Sequence, residues 1–411
     1  MEKTSVTDST RSGCVRTRLA LLWMNLANEP LSVVYTLLPF ILIKDLGANA
    51  FQVALFITLR PCLSVFSFYW GSYLKFHKNK LVSNLISACI LAYLPFIFLS
   101  FSMNIWLILL AAGAYQLFNK AGTPALIEIL KRNIPKKSLE HAFSLYYMLG
   151  FIESGLLGLA IGYLLDHNAA NLKLLFLFCG LAGLSSVFFQ MRISVPKEEV
   201  VSPPESLNHF LHPWKESFHL LRIRPDFRQF QMTFMIGGSA LMLMAPAFSV
   251  FYAETLALSH ADISIARFIF MALGVMISTF HWKTYLQKLP INTFIIYVLL
   301  GFGLFSALLL LASLHLAFLY LAFFLYGIAQ AGSHLIWNLS GALFGKEEDS
   351  SPYTCVNILM QGLRGMIVPF LGGILCKMCG PIPVMVFGTA LCFSGAFYMK
   401  RAGATLPSPA K

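Results

Sequence analysis

Apolar runs of about twenty residues recur along this chain from one end to the other, each closed by a short polar, glycine- or proline-containing stretch. A helix rises about 1.5 Å per residue, so about 20 apolar residues cross the hydrocarbon layer of a bilayer. Cutting the chain at its punctuation gives twelve such segments: 19–43, 51–74, 81–101, 105–130, 142–165, 172–191, 230–252, 263–282, 291–312, 316–344, 353–376 and 383–398. The narrowest division lies between the ninth and tenth, where only Ser313, Leu314 and His315 intervene. The first run follows Arg11, Arg16 and Arg18 and imitates a signal peptide. It continues to Ile43, well past the roughly 7 to 15 residues of a secretory apolar region, and no small-residue cleavage site closes it. The pattern therefore predicts an all-α integral membrane protein with about twelve spans.

Basic residues in the alternate loops orient the spans, because Lys and Arg are retained on the cytoplasmic side. With the N-terminus inside, the cytoplasmic segments hold 23 of the 30, in clusters such as Lys75, Lys78 and Lys80, or Lys131, Arg132, Lys136 and Lys137. The external loops hold Lys44, Lys173 and Lys377. Both termini are thus expected in the cytoplasm. The longest loop carries Pro196, Pro203 and Pro204 before an amphipathic stretch at 206–221, and reads as a hinge. The expected division is a tail at 1–18, a six-helix bundle at 19–191, a central loop at 192–229, a second six-helix bundle at 230–399 and a tail at 400–411.

Composition removes the competing classes. Of the 411 residues 57% are hydrophobic and 12% charged, against roughly 25% charged in a soluble domain. The net charge of +12 comes from loop clusters and not from a basic stripe interleaved with aromatics, so no nucleic-acid partner is expected. Cys62, Cys89, Cys179, Cys355 and Cys392 sit in apolar runs as packing residues. The pair Cys376 and Cys379 lacks a second Cys or His pair, so neither a metal nor another cofactor is expected. No phosphate loop, zinc helix or nucleophile elbow stands out, and the chain is not read as an enzyme.

Two short internal matches share nearly one offset. Trp70, Tyr73 and Leu74 correspond to Trp282, Tyr285 and Leu286, and Tyr115 to Gly122 correspond to Tyr326 to Gly332. Repeats of this kind build transporters with a central site. Together with the helix count, the long central loop and the glycine-led basic run from Gly71 to Lys80, they make the chain resemble the major facilitator superfamily over essentially its whole length. Within that run Lys75 stands where the family usually has Asp, and Lys78 where it has Gly. The stretch from Ala121, Gly122 and Pro124 through Asn133 and Pro135 to Ala142 and Ser144 resembles the family's fourth-to-fifth helix junction. The resemblance implies two six-helix bundles related by a pseudo-two-fold axis, alternating access, and outer positions for the third, sixth, ninth and twelfth helices.

Charged residues inside apolar helices cost roughly 2.5 to 3.5 kcal/mol each on insertion scales. Six stand there: Glu29, Arg60, Lys120, Glu153, Arg267 and Arg364. All fall on helices that the resemblance assigns to the central cavity. Asn25, Asn28 and Glu29 precede Pro30 at spacings that share one helix face. They read as a polar solute or proton site, or as an interhelical hydrogen-bond cluster. Lys120 with Gln116, and Arg364 with Gln361, offer one cation from each half as an anion clamp; the alternative is a salt bridge to Glu29 or Glu153. Arg60 joins the substrate set. Glu29 and Glu153 are the proton-coupling candidates, against a permanently paired structural carboxylate. Arg267 is read as snorkelling to the interface, with membership of the site as the alternative, and His334 and Trp337 as further cavity or interface residues.

These residues lead to the expectation of a monomeric, multi-pass secondary transporter of a small polar metabolite. The excess of positive charge favours an anion as solute, with H⁺ as coupling ion, and compactness favours a bacterial inner membrane. The rivals are a transporter of a zwitterion such as an amino acid or peptide, and a polytopic receptor, scaffold or lipid-modifying enzyme.

Overall fold

The computed structural model describes residues 2–76, 80–168, 170–195, 212–345 and 351–403, with side chains at 64–76 and 136–147 among those outside the description. The described chain is helical: α1 (Glu2–Lys44), α2 (Ala50–Phe76), α3 (Leu81–Leu99), α4 (Ile105–Asn133), α5 (Lys136–His167), α6 (Asn171–Gln190), α7 (His212–Ile223), α8 (Pro225–Val250), α9 (His260–Ser264), α10 (Met271–Lys288), α11 (Ile291–Leu311), α12 (Ala317–Gly345), α13 (Ser351–Cys379) and α14 (Pro381–Gly403). Among the described residues ten helical stretches are long and apolar enough to cross a membrane. The α4 helix is not among them, because Gln116, Asn119 and Lys120 interrupt its apolar run. Of α2, the stretch Ala50–Leu63 counts as a shorter apolar helix.

The elements differ from the sequence pattern in instructive places. The first helix starts at Glu2, so the stretch expected as a tail continues the helix, although the apolar span begins only at Gly13. The eighth apolar run is not one regular helix. It is α9, a π-helical turn at Ile265–Phe270, and α10. A second π-helical turn, Phe251–Thr255, follows α8. The narrow ninth-to-tenth division is a real break, where the Ala317 amide donates to His315 Nδ1 at 3.1 Å and starts α12. Of the amphipathic stretch, 206–211 lies outside the described residues with Pro196, Pro203 and Pro204, while α7 occupies the remainder. Lys78 of the basic run also lies outside them, as do the side chains of Trp70, Tyr73 and Lys75.

The chain forms two compact units, Met1–Leu38 with Leu63–Glu205, and Pro39–Cys62 with Ser206–Lys411. In the first, α3 packs along both α4 and α6. Ala20, Leu81, Leu85, Ala125 and Ile129 form an apolar cluster near the start of α3.

In the second unit, α8 packs on α13 and α14, and α11 on α12 and α14. Its core is aromatic, built around Phe227, Phe230, Phe294, Phe302 and Tyr353. The α10 and α12 backbones touch through reciprocal glycines. A Cβ on Gly274 would stand 2.1 Å from the Phe324 carbonyl oxygen, and one on Gly327 would stand 2.0 Å from that of Met271. Small residues permit this approach, which interhelical dispersion then stabilises.

The Pro39–Cys62 segment is clasped to the rest of the second unit. Lys44 Nζ donates to the Leu258 carbonyl at 2.6 Å. Asp45 Oδ2 meets His260 Nε2 at 2.8 Å with both side chains almost fully covered, 10% and 4% exposed. The His260 ring also stands edge-on to Phe40 at 5.4 Å. Ser259 caps α9 through Asp262, which aims His260 at Asp45, and Ala257 turns the loop with a left-handed φ of 47°.

Candidate functional site

The polar residues of α1 are drawn together with groups from α3, α4 and α5 in the first unit. Asn28 Oδ1 accepts hydrogen bonds from Tyr93 Oη of α3 and Tyr115 Oη of α4, each at 2.7 Å. The two rings meet edge-on at 5.8 Å. Both lone pairs of the Asn28 carbonyl are thereby used, which leaves its amide nitrogen to serve other partners.

Glu29 turns to α5. Its Oε2 accepts from Ser154 Oγ at 2.7 Å, and its Oε1 lies against Gly150, where a Cβ would stand 3.1 Å away. Glu153, one residue before Ser154, is half-buried, and its Oε2 is buried with no hydrogen-bond partner among the described residues. The two carboxyls are near enough to interact electrostatically. Neither forms an ion pair with a described residue of its own unit, so the expected alternative of a permanent salt bridge is not seen there.

Asn25 and Asn119 line a cavity of about 140 Å³ beside this cluster. Gln116 is buried next to Tyr115 on α4, and Lys120 is half-buried one turn further on.

In the second unit Arg364 is the centre. Its Nη1 donates to the Phe234 carbonyl of α8 at 2.5 Å, and its guanidinium lies over the Trp337 ring, 6.0 Å from the centroid. Trp337 in turn packs on Phe234 at 5.5 Å. The guanidinium can lie flat against α8 only because position 238 is glycine, where a Cβ would be 2.0 Å from Nη1. Among the described residues the buried Nε of Arg364 has no hydrogen-bond partner, and no carboxylate of the second unit pairs with it. A guanidinium held this way by one edge and one face keeps its Nε edge for a planar anion.

The remaining candidates divide. His334 is exposed and shares a 2.7 Å hydrogen bond with Gln330, one turn earlier on α12. Arg60 and Gln361 are exposed, and Pro61 packs against Gly365. Arg267 was expected to snorkel outward. It is half-buried in the π-helical turn and interacts electrostatically with the buried Tyr252 and Tyr326.

Several residues at these sites carry no signal in sequence. Tyr93, Tyr115 and Ser154 are ordinary residues of apolar helices, and only the fold makes them partners of Asn28 and Glu29. Tyr93 of α3, with Ser186 and Gln190 of α6, comes from helices that the resemblance places on the outside; each nevertheless turns polar groups into its own unit. In the second unit Gln231, Asn357 and Ser340 form a buried network in which Gln231 donates to Asn357, and Asn357 to Ser340 at 2.5 Å.

Comparison with known proteins follows this geometry. No curated protein sequence matches the chain. Among solved structures, the nucleoside transporter NupG superposes with a TM-score of 0.70 at 12% identity, covering 96% of this chain and 100% of NupG. A POT family transporter in complex with 5-aminolevulinic acid superposes with a TM-score of 0.72 at 12% identity, over 96% and 97% of the two chains. A bacterial homolog to the human lysosomal transporter Spinster, inward-facing and unoccupied, gives 0.63 at 13% identity over 98% and 99%. At such identities the likeness concerns fold alone. The sequence profile of the Major Facilitator Superfamily matches residues 30–369, most of the chain, and on that match the chain belongs to this superfamily of multi-pass membrane proteins.

Proposed function

We propose that the protein is a secondary transporter that moves a small anionic metabolite by alternating access and couples this movement to protons. The observation that carries the reading is Arg364, a guanidinium packed on Trp337 and Gly238 whose buried Nε has no hydrogen-bond partner, and which has no paired carboxylate of its unit, among the described residues. A cation in an apolar helix pairs with an opposite charge or with backbone carbonyls; beyond the one bond to the Phe234 carbonyl, a carboxylate or phosphate oxygen pair fits the Nε edge. Lys120 of the first unit is the second candidate cation, with Gln116, Gln361 and Arg60 as further solute contacts. Glu29 and Glu153 are the proton carriers: adjacent carboxyls, one bonded by a neutral hydroxyl and one unbonded at Oε2, are free to load and release a proton.

The reading extends to the whole chain: twelve membrane spans in two six-helix bundles, both termini in the cytoplasm, a monomer in a cytoplasmic membrane. The binding claim is tested by thermal unfolding of the purified protein against a panel of organic acids, phosphorylated metabolites, amino acids and neutral nucleosides. Selective binding raises stability by mass action. Stabilisation by one anionic class, absent in Arg364→Gln, supports the reading. Stabilisation by a zwitterion that requires both Arg364 and Glu29 would move the solute to the amino-acid class, for which both charge signs are present. A neutral hit that is indifferent to Arg364 would overturn the anion site.

A further inference from the structure

The first unit holds a chamber that the solute reading does not use. The cavity of about 140 Å³ lies among α1, α3, α4 and α6. Its polar wall consists of Asn25, Asn28, Asn119, Thr123, Tyr93, Ser186 and Gln190, and among the described residues carries no charged side chain. The lining extends from Leu21, Leu85, Leu126 and Gln190, on the side on which α1 begins and which the basic loops place in the cytoplasm, to the middle of the helices at Asn28, Tyr93 and Phe118.

Gln190 is fully buried at 0% exposure. Its amide nitrogen donates to Ser186 Oγ at 3.0 Å, and Ser186 Oγ donates to the Gly183 carbonyl at 2.7 Å. Its Oε1 has no hydrogen-bond partner among the described residues. A buried amide oxygen seeks a donor, and the chamber is where one fits. A water needs about 10 to 15 Å³ of such space and two to four polar contacts, so the volume accommodates a cluster of several. Neutral carboxamides and hydroxyls both donate and accept, as water does, and among the described residues the wall holds no fixed charge that would trap a proton passing along such a cluster.

Asn25 is one helical turn before Glu29 on the same face, and Asn28 adjoins it. We propose that this chamber is a water-filled vestibule through which Glu29 exchanges its proton with the cytoplasmic side, separately from the solute's path. On release, the Glu29 carboxylic acid passes H⁺ to a vestibule water, leaving the carboxylate and a hydronium that moves outward along the water cluster; loading is the reverse. The proposal rests on the reading of Glu29 as a proton carrier.

Two measurements separate the chamber from that reading. Cys89 lines the chamber, 8% exposed, whereas Cys179 of α6 is 0% exposed and does not line it. In variants that keep one of these cysteines alone, the small water-borne reagent aminoethyl methanethiosulfonate should modify Cys89 about tenfold faster than Cys179, since thiol reactivity follows access to water. The chamber is filled by Gly122→Met, at a position where a Cβ meets only Ala88 and Leu85 at 3.4 and 3.6 Å, and this variant should bring Cys89 to the Cys179 rate. Equal rates in the unfilled protein mean a dry cavity and overturn the proposal even if Gly122→Met fails to fold. Hydrogen–deuterium exchange of the Glu29 carboxyl, followed by its infrared C=O band and assigned by loss in Glu29→Gln, should slow about tenfold in Gly122→Met. Unchanged exchange with rapid Cys89 labelling would leave a wet chamber that does not serve Glu29 and would overturn the proton route. Absence of any protonated Glu29 band would instead remove the proton-carrier reading beneath it.

Discussion

Arg364 and Gly238 separate charge from geometry at a single site. Gly238→Ala leaves every charge in place but puts a methyl 2.0 Å from the Arg364 Nη1 position, so the guanidinium must leave α8. The expected outcome is anion affinity reduced about tenfold or more, the loss of roughly one charge-assisted hydrogen bond, read by titration calorimetry against the best anionic ligand of the thermal screen. Arg364→Lys should fail to restore binding, because a point charge does not reproduce the planar edge. Normal affinity in Gly238→Ala would show that the anion does not meet Arg364 in this pose. In the first unit, Asn28→Leu removes the acceptor of two tyrosine hydroxyls. Losing both hydrogen bonds should cost about 2 to 4 kcal/mol, seen as a fall in unfolding temperature. Tyr115→Phe, which deletes one donor and leaves Asn28 a second, should cost about 1 kcal/mol. Polar residues in apolar runs were conspicuous enough in sequence to mark Asn28, Glu29 and Arg364. Their partners were not, because a tyrosine or serine in a membrane helix is unremarkable until its neighbours are known, and a backbone carbonyl such as that of Phe234 carries no sequence signal at all.

Helices make the second scale of argument. The α10–α12 contact depends on two reciprocal glycines, each facing a backbone oxygen that a side chain would strike. Gly274→Val or Gly327→Val should therefore separate the helices and lower stability by about 2 kcal/mol or more, and the double variant should lose less than the sum of the two, because either alone already opens the contact. Thermal unfolding of the three variants checks this; additive losses would mean that the glycines act independently. The clasp of Asp45 and His260 is a second element-scale feature. His260→Ala leaves a nearly buried carboxylate without its partner and should cost about 3 kcal/mol, with proteolysis concentrating in the loops that carry Lys44 and Leu258. Hydropathy located the helices well because apolar length is a strong, local signal. It missed the π-helical turns around Tyr252 and Arg267, which arise from packing and not from composition, and it left α1 short because the polar residues before Arg16 continue a helix without being apolar. The glycine contacts were equally hidden, since spacing in one helix does not reveal which oxygen it meets in another.

At the scale of the whole molecule, superfamily membership follows from a profile match over residues 30–369, and the likeness to solved transporters extends over almost the entire chain. Of the residues in the sequence repeat, Trp282 packs on Gly332 in the second unit and donates to the Ile328 carbonyl at 2.7 Å, while the side chain of its counterpart Trp70 lies outside the described residues. The proposed proton coupling belongs to this scale because it would link the carboxyls of the first unit to net flux. In proteoliposomes the wild-type protein should accumulate its solute when a pH gradient is imposed. Glu29→Gln should exchange solute across the membrane yet fail to concentrate it, since a permanent amide neither loads nor releases a proton. The central claim, an anionic solute held by Arg364, is tested most directly by uptake into such proteoliposomes of the anion that most stabilises the purified protein, comparing wild type with Arg364→Gln at equal reconstituted amounts. The account predicts saturable uptake by the wild type and a loss of about a hundredfold in the variant, the scale of a buried charge-assisted contact; uptake that survives in Arg364→Gln would contradict it.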